Sequence, residues 1–148
     1  MANKNSNISI NLQIIAIETL DFSLTNFDNK GVPLNKLHYN INLLQSFFPD
    51  KSIVFVTPSV EILTEDKKII LGSLKINCVF KFLELAEYCD SKTKKVKLPE
   101  SIITTLNSIA LSSCRGVMVS HFKGTILHTA ILPLLDPSSF SMENANKK

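Results

Sequence analysis

The sequence has few of the residues that mark specialised classes of protein. Its 148 residues include four glycines and six prolines, too few for a fibrous repeat, and only three cysteines. The formal net charge of +3 is small and 45% of the residues are hydrophobic, which together exclude a disordered chain. We therefore predict one globular domain of ordinary size.

Long apolar runs are also missing. The stretch from Ile8 to Ile17 is interrupted by Ser9, Asn11 and Gln13, whereas a bilayer span needs about 18 apolar residues. The first seven residues contain one lysine, and the apolar core of a secretory signal does not follow them. We therefore expect a cytoplasmic protein with no membrane partner.

Neither the cysteines nor the histidines have the spacing of a metal site or a catalytic pair. These residues are Cys78, Cys89, Cys114, His38, His121 and His128. The odd number of cysteines and the lack of a C-x-x-C pair favour reduced thiols. Cys114 and His121 would lie about 10 Å apart along a helix, too far for a nucleophile and its base. Because no phosphate-binding loop or catalytic carboxylate pair is present either, we expect no enzyme, no metal and no cofactor.

Alternation of apolar and polar residues predicts strands in the first half of the chain. The strands begin near Ile8, Leu37, Ile53 and Ile70. Short polar reversals separate them, so we expect a four-stranded antiparallel meander. The alternation breaks between Ile15 and Ile17, which predicts a bulge in the first strand. Because a proline cannot donate to a ladder, Pro58 predicts that the third strand is an edge or is bulged there.

Apolar residues recur at intervals of three and four in the second half of the chain, which predicts a helix. It would begin at Pro99, continue to Phe122 and be capped by Gly124. Residues 125–137 are apolar but contain Pro133 and Pro137, so we expect an extended loop there.

The predicted fold class is α+β, with the four-stranded meander followed by the long helix. Residues 1–7 would be a flexible N-terminus, 8–140 a single domain and 141–148 a polar tail. One helix covers one face of a sheet, yet the fourth strand is also apolar on its other parity, at Leu71, Val79 and Leu83. This surplus apolar surface needs a cover, either more protein or a client.

Three groups of short motifs resemble the SecB family of export chaperones. They are LQII at 12–15 with DFSL at 21–24, NCVF at 77–80, and LP at 98–99 followed by RG at 115–116, KGT at 123–125 and LPLLDPSSF at 132–140. The resemblance implies a four-stranded antiparallel sheet, a long helix, a proline-punctuated loop and a shorter second helix. It also implies a homo-oligomer in which dimers pair into tetramers.

The resemblance implies an ATP-independent chaperone that holds unfolded polypeptides. Its clients would be preproteins or a dedicated antitoxin, since branches of the family serve toxin–antitoxin systems. Family members dock the SecA motor through carboxylates on the outer sheet face, where Asp21 retains one but Thr25 and Ser73 replace others. The second helix is nearly absent from this sequence, and Lys147 and Lys148 stand in place of the family's acidic tail.

Holding an unfolded chain needs an exposed apolar groove of low specificity and no catalytic group. We predict such a groove between the sheet and the segment formed by the helix and loop. Its candidate residues are Phe80, Phe82, Val117, Met118, Phe122, Ile126, Leu127 and Leu132. A separate helical stripe is assigned to the oligomer interface, and it contains Ile102, Leu106, Ile109 and Ser113.

Two other interpretations stay open. In a structural oligomer, the surplus apolar surface would all be subunit interface, and no groove would stay open after assembly. In a nucleic-acid-binding module, the lysine run at 92–97 would be joined in space by Lys75 and Lys81. The lysines concentrate in one run rather than along a face with interleaved aromatic residues, which argues against nucleic acid as the partner.

Overall fold

The computed structural model describes residues 11–25 and 36–140. Three sequence-based predictions lie outside these residues, namely the flexible N-terminus with the strand start at Ile8, the polar reversal between the first two strands and the polar tail at 141–148. The division into one domain at 8–140 with two flanking segments stays a prediction.

The described residues form one antiparallel sheet of four strands, as the alternation predicted. The strands are β1 (Leu12–Leu24), β2 (Leu37–Phe48), β3 (Ile53–Thr64) and β4 (Ile70–Phe82), in the order β1-β4-β3-β2. The meander prediction holds for β2, β3 and β4 but is wrong for β1, which pairs with β4. In a meander β4 would be an edge strand. The observed order instead places β4, with nine of its thirteen residues buried, in the interior of the sheet.

The prediction for Pro58 is wrong, because β3 lies between β2 and β4 and pairs with β2 without a bulge. The missing amide of Pro58 affects the pairing of β3 with β4. Thr57 and Pro58 have no paired residues on β4, although the register before and after them is unchanged. The Thr57 hydroxyl donates to Asn77 Oδ1 at 3.0 Å, a cross-strand bond that bridges this interruption. β3 therefore accommodates Pro58 in a central position, and the pairing with β4 is interrupted at two residues.

The predicted bulge in β1 is confirmed, and a second one follows it. The register with β4 shifts between Ile14 and Ala16 and again between Thr19 and Asp21. Each shift inserts one residue that has no partner on β4, Ile15 in the first case and Leu20 in the second. Both extra residues are apolar and about half exposed.

The long helix α1 (Glu100–Phe122) covers one face of the sheet and lies mainly over β3 and β4. By length and composition, α1 is apolar enough to cross a membrane. Eight of its residues are buried against the rest of the protein, which accounts for this apolar composition. Pro99 occupies the N-cap position, and Gly124 has a positive φ of 78° just beyond the helix end. Both predicted helix signals are therefore confirmed.

Two short 3-10 helices, Pro49–Lys51 and Leu85–Tyr88, flank the sheet, and a third one, Pro137–Ser139, follows the loop. The loop itself has no helix or strand between Ala130 and Asp136, as its prolines predicted. Its side chains at Leu127, Ala130 and Leu132 are nevertheless buried in the core.

Gly72 of β4 explains how closely the loop approaches the sheet. A Cβ atom at this position would lie 2.8 Å from Leu127 Cδ1, 3.2 Å from Phe122 Cε1 and 3.1 Å from the Ser23 carbonyl oxygen. Because no side chain fits there, glycine lets the end of α1 and the loop pack directly on the strand backbone.

Candidate functional site

The structure brings the eight predicted groove residues together, but it places them in the core. Six are buried with at most 3% of their surface exposed, and Val117 and Ile126 are partly buried. The six are Phe80, Phe82, Met118, Phe122, Leu127 and Leu132. In this conformation these six side chains therefore do not line an open groove. Their role in binding a client stays a prediction.

The four residues predicted for the oligomer interface do not share one environment. Leu106 is fully buried under the sheet, whereas Ile102, Ile109 and Ser113 are partly buried at the margin of α1. The solvent-facing side of α1 is instead a stripe of mostly small residues. It contains Ser101, Thr105, Ser108, Ser112, Gly116 and Ser120. An oligomer built on α1 stays a prediction.

The most extensive exposed apolar surface of the described residues is on β1. Six large hydrophobic side chains in this strand are between 39% and 52% exposed. They are Ile14, Ile15, Ile17, Leu20, Phe22 and Leu24. We call this set the β1 surface.

The register with β4 assigns the β1 side chains to two faces, because directly opposite residues point to the same side of a sheet. Ile14, Ile17 and Phe22 lie opposite Phe80, Cys78 and Leu74, which belong to the buried inner face. These three β1 side chains therefore continue the core laterally, beyond the area that α1 covers.

The contact between β1 and α1 is confined to the end of the helix. The Phe22 ring lies 5.4 Å from the Phe122 ring and 5.1 Å, edge to face, from the His121 ring. His121 Nδ1 lies 3.1 Å from the Val117 carbonyl oxygen, and Nε2 lies 3.5 Å from Thr19 Oγ1. These contacts fix one end of β1 and leave Ile14 and Ile17 without cover from the described residues.

β1 is also an edge strand. Among the described residues only β4 pairs with it, so the N–H and C=O groups on its other side have no strand partner there. A long edge of this kind is a template for pairing with another chain. The β1 surface therefore combines exposed apolar side chains with unused backbone hydrogen-bonding groups.

The outer sheet face has a different character. A depression of about 590 Å³ lies on it, and its lining includes charged side chains of both signs, Asp21, Glu61 and Lys75, beside polar and apolar residues. Asp21, the residue predicted to dock the motor, is exposed and lies directly opposite Lys75. Ser23 and Ser73 share a hydrogen bond of 2.6 Å at the next pair. This face is therefore neither uniformly acidic nor uniformly basic.

The two lysines suggested for nucleic-acid binding are on this outer face as well. Lys75 lies opposite Asp21, and Lys81 lies opposite Gln13. Because Glu18 and Glu61 share the face, cations and carboxylates alternate across it. An alternating pattern does not build the positive field that would attract a phosphate backbone.

The buried thiols have the chemistry of core residues. Burial raises the pKa of Cys78 to about 11 and that of Cys114 to about 12, so both stay protonated near neutral pH. Cys114 is fully buried, and His121 makes its hydrogen-bonding contacts with Val117 and Thr19 instead. Among the described residues, no group of three or more potential metal ligands is present.

Sequence reasoning missed the β1 surface, although a signal for it was present. Apolar residues stand at positions 14, 15 and 17 and again at 20 and 22, so both parities of the strand are apolar. A strand that is apolar on both parities needs cover on both faces, which an edge strand next to one helix does not receive.

The sheet with its long helix is the fold of SecB-like proteins. The solved structure that shows this is the Mycobacterium tuberculosis Rv1957 SecB-like chaperone in complex with a ChAD peptide from the Rv1956 HigA1 antitoxin. It is 12% identical, the match covers 83% of each chain, and the TM-score is 0.52, so the likeness concerns the fold alone. A protein of unknown function from Streptococcus agalactiae also matches, with 6% identity, 84% and 96% coverage and a TM-score of 0.41. No protein-family model and no curated protein matches the sequence.

Proposed function

We propose that the protein is an ATP-independent chaperone that holds unfolded polypeptides and catalyses no reaction. The observation that carries this proposal is the β1 surface, where exposed apolar side chains adjoin a strand edge that no other strand of the described residues pairs with. Six large apolar side chains exposed within one strand of thirteen residues are costly to leave in water, so a partner that covers them gains free energy.

An extended client would add to the sheet beside β1. Main-chain hydrogen bonds to the edge do not depend on the sequence of the client, while the apolar row of Ile14, Ile17 and Phe22 receives every second side chain. This combination suits a chaperone, because it recognises an unfolded chain by its exposed backbone and apolar residues rather than by one motif.

The SecB-like fold supports the same function. Because the structural neighbour was solved with an antitoxin peptide, an antitoxin is one client that we propose for this chain, and preproteins are another. We further propose a cytoplasmic location and a homo-oligomer built as a dimer of dimers. Docking of SecA through Asp21 is the least supported part, because the neighbouring Lys75 offsets the charge of this single carboxylate.

A structural oligomer without chaperone activity is the second candidate, since the free edge of β1 could also pair with a second copy. However, Glu18 is the central residue of β1. An antiparallel self-pair over the full strand would therefore place Glu18 opposite the same residue of the copy. Like charges directly opposite destabilise a strand pair, so the full-length pairing favours a client over a second copy.

Suppression of aggregation tests the proposal. Chemically denatured citrate synthase is diluted into buffer with increasing amounts of the protein, and light scattering and the oligomer mass are measured in parallel. We expect suppression near one oligomer per client. The double variant Ile17→Ser with Leu20→Ser should lose most of this activity.

The matched control replaces two apolar side chains outside β1, Leu44→Ser with Ile69→Ser, each 37% exposed in the structure. It should behave like the wild type. Equal activity of the β1 variant and the wild type would contradict the assignment of the β1 surface. A folded wild-type oligomer that leaves the scattering unchanged would contradict the holdase and favour the structural oligomer.

A further inference from the structure

The loop after α1 begins with turns at 125–129, continues without regular structure from Ala130 to Asp136, and is bound to the rest of the protein through buried apolar side chains. We call residues 125–136 the strap. Leu127, Ala130 and Leu132 of the strap are each 1% exposed, whereas Ile131 and Leu134 between and beyond them are 53% and 91% exposed. The three buried side chains are all aliphatic, and no charged side chain of the strap is buried.

The strap lies on the inner face of the sheet. Leu127 packs on Gly72 of β4, and the backbone of Ile131 lies near the Tyr39 side chain of β2. Gly72 and Tyr39 both lie opposite Ile62 of β3, so these two contacts of the strap belong to one row of the sheet.

Two parts of the strap have different backbone hydrogen bonds. Residues 125–130 form turns, in which the His128 N–H donates to the Thr125 carbonyl oxygen and the Ala130 N–H to the Leu127 carbonyl oxygen. Between residues 131 and 135 no backbone–backbone hydrogen bond joins the strap to the described residues. Arg115 of α1 donates from Nε to the Leu132 carbonyl oxygen at 3.0 Å and from Nη2 to the Pro133 carbonyl oxygen at 3.1 Å. A side-chain fork that grips two carbonyls does not read the sequence that carries them.

A second side chain holds the chain just beyond the strap. Asn107 Nδ2 donates to the carbonyl oxygens of Pro137 and Phe140, each at 3.2 Å. Asn107 Oδ1 accepts from Gln45 Nε2, while the buried Gln45 Oε1 has no donor among the described residues. Because a buried acceptor without a donor is unfavourable, this arrangement leaves part of the binding capacity of the site unused.

We infer that the strap occupies, in cis, a binding surface for extended apolar polypeptides on the inner sheet face and α1, and that it leaves this surface when a client takes its place. This inference rests on the proposed function and deepens it. It would also give the buried groove residues outside the strap, Phe80, Met118 and Phe122 among them, a place in client binding. The favoured client segment has apolar side chains spaced like Leu127, Ala130 and Leu132 and no charge between them.

The test uses the strap itself as the probe. A fluorescein-labelled peptide of residues 125–136 is titrated into the full-length protein, and its anisotropy is measured. Leu132→Ala in the protein weakens the strap alone, because the probe keeps its leucine and the Arg115 donors remain in place for either chain. We expect this variant to bind the probe about tenfold more tightly than the wild type, a difference of about 1.4 kcal/mol.

Two controls accompany the titration. Lys68→Met removes a charge from the exposed β3–β4 loop and should bind the probe like the wild type. A peptide with serine at the three buried positions should bind to neither protein. If Leu132→Ala does not fold cooperatively in thermal unfolding, Leu132→Val replaces it, because the loss of one methylene loosens the same buried contact with a smaller loss of stability.

Hydrogen exchange of the wild type gives an independent readout. Binding of the probe should increase exchange in residues 126–136 and leave β3 unchanged. Equal probe affinity of the wild type and Leu132→Ala, or stronger protection of the strap on probe binding, would overturn the inference.

The same variants separate this inference from the proposed function. Equal suppression of citrate synthase aggregation by both proteins, with equal probe affinity, overturns the strap and leaves the holdase standing. Tighter probe binding by Leu132→Ala without any suppression of aggregation supports the strap and overturns the general holdase.

Discussion

The contact between Gly72 and the loop permits a sharp test of the packing. In Gly72→Ala the new methyl group would lie 2.8 Å from Leu127 Cδ1 and 3.1 Å from the Ser23 carbonyl oxygen. The backbone oxygen belongs to the neighbouring strand and cannot move alone, so the loop must shift. Overpacking of this kind costs about 1–3 kcal/mol.

An alanine also stabilises by reducing the conformational freedom of the unfolded chain, by about 0.4–1 kcal/mol. The net loss for Gly72→Ala is therefore about 1–2 kcal/mol in the free energy of unfolding, combining both effects. For a chain of this length it corresponds to a decrease in Tm of about 3–6 °C. Urea unfolding followed by circular dichroism measures the free energy, and a thermal scan measures the Tm.

Gly116 provides the matched control, since a Cβ atom there meets nothing within 4 Å and the residue lies inside α1. Gly116→Ala should stabilise the protein by about 0.5–1 kcal/mol. The double variant Gly72→Ala with Leu127→Ala should lose less stability than the sum of its single variants, because the closest clash is gone. A Gly72→Ala protein as stable as the wild type, or strictly additive losses, would refute this packing argument.

Two further predictions concern titration and thiol reactivity. Hydrogen bonds from neighbouring side chains and backbone amides lower the pKa of three aspartates below the ordinary 3.8, namely Asp66, Asp90 and Asp136. Their contribution to stability is therefore complete above about pH 4 and is lost as the pH falls through the pKa values of the folded state. Replacing all three aspartates by asparagine should make the decrease in Tm between pH 4 and pH 2 smaller. With Ellman's reagent at pH 8, Cys89 should react in the folded protein, whereas Cys78 and Cys114 should react only in denaturant. Both are buried, and burial raises their pKa to about 11 and about 12. Fast labelling of all three thiols in native buffer would contradict this prediction.

Local patterns in the sequence were sufficient for the elements themselves. Alternation located the four strands, and intervals of three and four placed the helix from Glu100 to Phe122 between its proline and glycine signals. The break near Ile15 predicted the first bulge, since a one-residue insertion is visible as a change of parity. These features depend on residues that are close in the chain, which is why a single sequence reveals them.

Pairing and burial could not be obtained in the same way. The position of β1 beside β4 depends on contacts between residues 48 to 70 positions apart, and several strand orders satisfy the same alternation. The central place of Pro58 was misjudged for the same reason, because the sequence does not state how many neighbours a strand has.

The same difference between local patterns and long-range contacts applies to the candidate site. The sequence by itself determined that the chain has more apolar surface than one helix can cover, together with the order of strands, helix and proline-punctuated loop. Only the tertiary structure decided that Phe80 and Leu132 are buried while Ile14 and Ile17 remain exposed. The tendency of an isoleucine or a phenylalanine to be buried is the same at every position in the chain. The way in which α1 and the loop cross β3 and β4 decides which of these side chains the protein itself covers.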